Sequence, residues 1–190
     1  MTRGHDPAAG DGVPRFLAGT SQGWLELGNH LEANEELEKI TPELRGHPDV
    51  LQTRWHIYTA AERWDACLDI ATALTTVAPK NPPSWCSRAA ALHGLGRTTE
   101  AREVLLGGVD AAGENWFMFY ELARYCCLLD RTPEARAWLG KAFDLTANPK
   151  AAAKFKLLAL EDEDLKTLWS GGSVWLGGEG DARLIDKPEH

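Results

Sequence analysis

The feature that most constrains this chain is an interval. Residues 96–105 read GRTTEAREVL, and 34 positions later residues 130–139 read DRTPEARAWL. Inside the phrase a small residue, Ala101, is followed four places on by Leu105 and three places after that by Gly108. Moving forward by 34 gives Ala135, Leu139 and Ala142; moving back gives Cys67, Ala71 and Leu74, then Ala33, Leu37 and Ile40. Four sets share one register without a gap. Spacings of four and three put each set on one face of a helix.

A second series precedes the first at the same interval. Leu17 and Trp24, Leu51 and Tyr58, Trp85 and Leu92, and Phe119 and Cys126 are each seven apart, two helical turns. Breaks lie between the two series: Gly28, Glu62-Arg63, Gly96 and Asp130. Each repeat therefore reads as helix, tight turn, helix. Pro79 and Gly113 close successive second helices and Pro149 falls slightly beyond the next. Proline lacks the amide donor and glycine tolerates left-handed geometry, so both are expected as stops.

With these residues in view, the chain resembles the tetratricopeptide repeat (TPR) family of 34-residue helix pairs. The stretch AERWDACLDIATALTTVAP, residues 61–79, carries the match best, with Trp64 at the aromatic place, Cys67 at the alanine place and Pro79 at the end. Trp55, Ala89 and Ala123 replace the usual glycine of the first helix, and Gly19, Gly23 and Pro42 interrupt the first repeat. The resemblance implies an all-α, right-handed α-solenoid over residues 14–169, with repeats at about 14–47, 48–81, 82–115 and 116–149. A truncated capping repeat at 150–169 should cover the last apolar layer with Phe155, Leu157, Leu160, Leu165, Leu168 and Trp169, leaving Lys150, Lys154 and Lys156 in water. Residues 1–13 are expected to be disordered. Residues 170–190 are expected to form a glycine-rich mobile tail, with Val174-Trp175-Leu176 as an apolar anchor in a segment lacking a fold of its own.

Composition narrows the function. A net charge of -8 argues against nucleic acid or anionic membrane as the partner, since both favour a basic surface. No apolar run reaches bilayer-spanning length, and the opening MTRGHDPAAGDGVP has no apolar stretch of a leader. Four cysteines without a Cys-x-x-Cys pair suggest neither a disulfide framework nor a zinc site. A reduced, cytoplasmic location is the resulting expectation.

In the resembled family the first helix of each pair lines a concave, peptide-binding wall. The register implies that Gln52, His56, Ser87, His93, Phe117, Tyr120, Glu121, Arg124 and Lys154 face it. One branch of the family captures C-terminal carboxylates with lysine, asparagine and arginine spread over three repeats; Gln52, His56 and Ser87 supply no such clamp, leaving Arg124 and Lys154. Phe117 and Tyr120 suggest an aromatic platform instead. His56, His93, Cys86 and Cys127 lie on the same wall, but neighbouring repeats hold equivalent positions too far apart to meet at one ion. No metal, cofactor or catalytic residue is therefore expected. The Gly177-Gly178-Glu179-Gly180 cluster lacks the strand, helix and lysine of a phosphate loop, and the acidic run 161–164 is expected to initiate the cap helix. The chain reads as a non-catalytic adaptor or scaffold binding one or more proteins or peptide segments in its groove. A structural assembly or filament-associated protein acting through its end layers or convex face, with self-association, is the alternative; a thiol- or metal-dependent enzyme is the third.

Overall fold

The computed structural model describes residues 23, 29–146 and 148–169, together with the backbone of 174–175 and 184–185. The expectations for residues 1–13, for Leu17, Trp24 and Gly28, and for most of the tail lie outside these residues. The elements in chain order are α1 (His30–Glu38), a 3-10 turn η1 (Pro42–Leu44), α2 (Pro48–Ala60), α3 (Trp64–Val77), α4 (Pro82–Gly94) and α5 (Thr98–Ala112). They continue with α6 (Trp116–Leu128), α7 (Thr132–Asp144), α8 (Pro149–Glu161) and a second 3-10 segment, η2 (Glu163–Leu168). Beyond η2, β1 (Val174–Trp175) and β2 (Leu184–Ile185) form a two-residue antiparallel ladder pairing Val174 with Ile185 and Trp175 with Leu184. That pairing gives Val174 and Trp175 more local structure than the glycine-rich composition of the tail suggested.

Start signals are written in the sequence. Pro48, Pro82 and Pro149 open α2, α4 and α8 at the first turn, where a missing amide donor costs nothing and the fixed φ suits a helix. Pro149 is thus a helix start, and the expectation of a stop there is corrected. Asn115 and Asn148 cap α6 and α8: Asn115 Oδ1 accepts from the amides of Phe117 and Met118, and Asn148 Oδ1 from that of Ala151. These bonds satisfy donors that a helix end leaves without partners.

The breaks are one turn written three times. Glu62, Gly96 and Asp130 have φ of 53°, 76° and 58°. In each case the next residue is an arginine whose amide reaches back to the carbonyl five residues earlier: Arg63 to Tyr58 at 2.8 Å, Arg97 to Leu92 at 2.9 Å, Arg131 to Cys126 at 2.8 Å. The left-handed residue itself donates to Thr59, His93 or Cys127. This pair of bonds is the Schellman closure of a helix C-terminus. The same three arginines accept the first bond of the following helix, from Cys67, Ala101 and Ala135. One turn therefore ends the first helix and begins the second.

The register positions are buried throughout. Ala33, Cys67, Ala101 and Ala135 have no accessible surface, and Leu37, Ala71, Leu105, Leu139, Ile40, Leu74 and Ala142 are covered as well. Gly108 completes the set: a β-carbon there would lie 2.7 Å from Trp85 Cγ and Met118 Cε. Small residues at these places let helices approach while large neighbours fill the layer, the logic of stacked repeats.

The chain divides into two compact units, Met1–Ala78 and Pro79–His190. In the first, α2 packs on α1 and α3; its core joins Ala33, Leu37 and Ile40 to Val50 and Ile57, with Leu44 and Tyr58 alongside. In the second, α4 to α7 pack in sequence, and η2 folds back onto α6 and α7. The cap is thus a helix followed by a 3-10 segment rather than one helix. Phe155, Leu165 and Leu168 are buried as expected, but Leu157 is 59% exposed, because among the described residues no helix packs against its side of α8.

Candidate functional site

The first helix of each repeat was expected to carry the binding wall. In the first unit α2 presents Gln52 and His56 one turn apart, their Nε2 atoms 3.3 Å from each other. His56 is exposed. Thr53, between them, returns its hydroxyl to the Asp49 carbonyl at 2.9 Å.

The equivalent helices of the second unit are more enclosed. On α4, Cys86 and Ser87 are buried, and burial together with the charge of Glu121 pushes the Cys86 thiol up to about 12. His93 places Nδ1 3.0 Å from the Thr98 hydroxyl and its ring 5.2 Å from that of Tyr125.

The densest chemistry lies at α6. Residues 120, 121 and 124 follow helical spacing and share one face, and η2 lies across it. Tyr120 donates its hydroxyl to Asp162. Arg124 donates Nη2 to Asp164 Oδ2 at 2.5 Å and Nη1 to both oxygens of Glu121, at 3.0 and 3.1 Å; its Nε lies 3.1 Å from Asp162 Oδ2. Asp162 Oδ1 accepts the Asp164 amide at 2.9 Å, so the carboxylate that meets α6 also caps η2. One guanidinium faces three carboxylates. Burial raises the pKa of Glu121 against the opposing pull of Arg124. Burial alone would lower that of Arg124, but Glu121, Asp164 and Asp162 outweigh it and raise the value. Tyr120 is raised by burial and then by its bond to Asp162.

These contacts correct three expectations. Tyr120, Glu121 and Arg124 are buried or engaged inside the chain, so they form no open aromatic platform and no carboxylate clamp for a partner. The acidic run does start a helical segment, but Asp162 and Asp164 also fill the place a ligand carboxylate would take. Nothing in the 34-residue register announces a contact spanning 40 residues, from Arg124 to Asp164; the run EDED was its one visible sign.

Phe117 and Lys154 do remain exposed. Phe117 lies edge-on to Trp116, with ring centroids 5.5 Å apart, and Trp116 in turn meets Phe155 of α8 at 5.6 Å. Beside them opens a cavity of about 540 Å³, lined by Trp116, Leu145, Phe155, Leu157 and Leu158, with Lys154 and Glu161 among its polar members. The sequence reading missed Trp116 and Leu158, and it assigned Leu157 to the core.

The remaining chemistry is sparse. Burial raises the pKa of Cys67, Cys126 and Cys127, which keeps these thiols protonated and poor as nucleophiles at neutral pH. Among the described residues no three His, Cys, Asp or Glu side chains group as metal ligands. Among the same residues no helix is long and apolar enough to cross a membrane.

Solved structures repeat this arrangement of helix pairs. A thermophilic TPR protein, TTC0263 of Thermus thermophilus, superposes with a TM-score of 0.63 at 18% identity, covering 77% of this chain and 81% of its own. The chain has the tetratricopeptide-repeat fold. Nearly identical TPR-like repeats from Podosopora anserina match with a TM-score of 0.58 at 17% identity, covering 81% of this chain and 90% of theirs. The MamA RS-1 double mutant gives 0.57 at 14%, covering 80% of each chain. No protein-family model and no curated protein matches the sequence. At these identities the TPR likeness speaks for fold, the all-α repeat class that the 34-residue register implied.

Proposed function

We propose that this protein is a non-catalytic interaction scaffold that takes a partner segment on the face presented by its first helices. The observation supporting this reading is the pair Trp116 and Phe117, both about two-fifths exposed at the start of α6, in contact with each other and next to an open apolar cavity. Large aromatic side chains are the usual anchors of binding energy at protein interfaces. Rigid helices lower the ordering cost of binding. Lys154 adds a cation at the same edge. The role first expected of Tyr120 and Arg124 passes to Phe117 and its neighbours, because the former pair already holds Asp162 and Asp164.

Selection of binders from a displayed peptide library, followed by calorimetry, tests the reading. Phe117→Ala and Trp116→Ala should each weaken a selected peptide by about 1–2 kcal/mol without changing helicity by circular dichroism. Undiminished affinity in both variants would place binding elsewhere.

A further inference from the structure

In a full repeat α8 would be followed by a second helix lying along it. Here the chain breaks at Asp162, and η2 turns back to α6 and α7. Among the described residues no helix covers the outward side of α8: Leu157 is 59% and Leu158 45% exposed, and Trp116 and Leu145 help line the cavity. Single exposed leucines are ordinary, but a contiguous apolar patch around a cavity of about 540 Å³ is the kind of surface that binds.

Charge selects the occupant. Lys150, Lys154 and Lys156 all lie on α8, and no acidic residue occurs between Asp144 and Glu161, in a chain whose net charge is -8. None of the three lysines is in an ion pair with a described residue. Lys150, Lys154, Leu157 and Glu161 follow four-three-four spacing, and Ala151, Phe155 and Leu158 form the adjoining row. The face therefore offers an apolar seam with cations along its first half and one anion at its far end.

We infer that this face of α8 binds an amphipathic helix whose apolar stripe is flanked by carboxylates, with its acidic end over Lys150 and Lys154. Apolar side chains at helical spacing fill the cavity in place of the missing second helix, and the lysine row orients the partner and selects against basic sequences. A second copy of the chain fits less well, because the two lysines of this face, Lys150 and Lys154, would then meet a single glutamate. The inference rests on the scaffold reading and adds the chemistry of the partner.

Two fluorescein-labelled synthetic helices test it, one with glutamate and one with lysine flanking the same leucine seam, titrated by anisotropy against the full chain. The acidic peptide should bind at least about ten-fold tighter than the basic one, a difference of about 1.4 kcal/mol, and lose affinity as salt rises. Lys150→Glu with Lys154→Glu should invert the order, and Leu158→Asp should weaken the acidic peptide about ten-fold or more. The lysines are exposed, so their reversal leaves the fold in place. Equal binding of the two peptides, or an acidic preference that survives the lysine reversal, overturns the inference. So does sedimentation showing a dimer that Leu158→Asp dissociates, since a second copy would then own the face. Library-selected peptides whose binding ignores every α8 variant overturn this inference and leave the scaffold reading standing; failure to obtain any ligand removes both.

Discussion

Helices α2 and α6 occupy the same place in their repeats, yet they are clothed differently. Gln52, Thr53 and His56 of α2 correspond, two repeats on, to Tyr120, Glu121 and Arg124 of α6. On α2 only Val50 and Ile57 are buried, whereas α6 buries Met118, Phe119, Tyr120, Glu121, Leu122, Ala123, Tyr125, Cys126 and Cys127. The α6 side chains are engaged by Asp162 and Asp164, which arrive from η2. Register decides which way a side chain faces. Whether that face stays open depends on what else the chain lays over it.

The largest test of this contrast removes the centre of each helix. Arg124→Ala strands Glu121, Asp162 and Asp164 around an empty place, and should cost about 2–4 kcal/mol, somewhat below a fully buried pair because the guanidinium keeps partial contact with water. Its counterpart, His56→Ala, should change stability by no more than about 0.5 kcal/mol. Urea denaturation of both variants checks the pair, and equal losses would erase the distinction between the two faces.

A smaller effect probes the other side of α6. Gly108→Ala drives a methyl into Met118 Cε, Trp85 Cγ and Trp85 Cβ, at 2.7 to 2.8 Å, and should cost about 1–3 kcal/mol by overpacking. The adjacent Gly107 has open space around its would-be β-carbon. Gly107→Ala should instead gain about 0.5–1 kcal/mol from helix propensity. Thermal melts of the two single variants should therefore move in opposite directions.

The smallest effect should be shared by both regions. Glu62 ends α2 and Asp130 ends α6, each with a side chain in the left-handed region. Glycine there removes a steric cost of roughly 1–2 kcal/mol but adds entropy to the unfolded chain. Glu62→Gly and Asp130→Gly should each net a stabilisation of about 0.5 kcal/mol. Similar shifts in denaturation midpoint would show that the turn is local even where the faces differ; a gain in one and a loss in the other would tie the turn to its surroundings.

Legibility in the sequence followed the range of the interactions. The positions from Ala33 to Ala142 that recur every 34 residues could be named as core because burial at a helix interface leaves a period. The turns at Glu62, Gly96 and Asp130 were visible because a helix C-terminus is closed by hydrogen bonds among near neighbours. Pro149 was misread for a similar reason: proline can follow a helix or begin one, and Asn148 beside it was the cap that settled which. Of the residues assigned to the wall, Phe117 and Lys154 are exposed, while Tyr120, Glu121 and Arg124 are covered or engaged within the chain.

The sequence alone determined the helix pairs, their 34-residue register and the small residues that let them meet, since each is dictated by local geometry repeated in tandem. Only the tertiary structure decided that Asp162 and Asp164 close on Arg124 while Leu157 and Leu158 face outward. Those outcomes turn on a chain reversal after α8, where segments about 40 residues apart compete to cover the same surfaces. Periodicity carries no record of that competition, because it happens once.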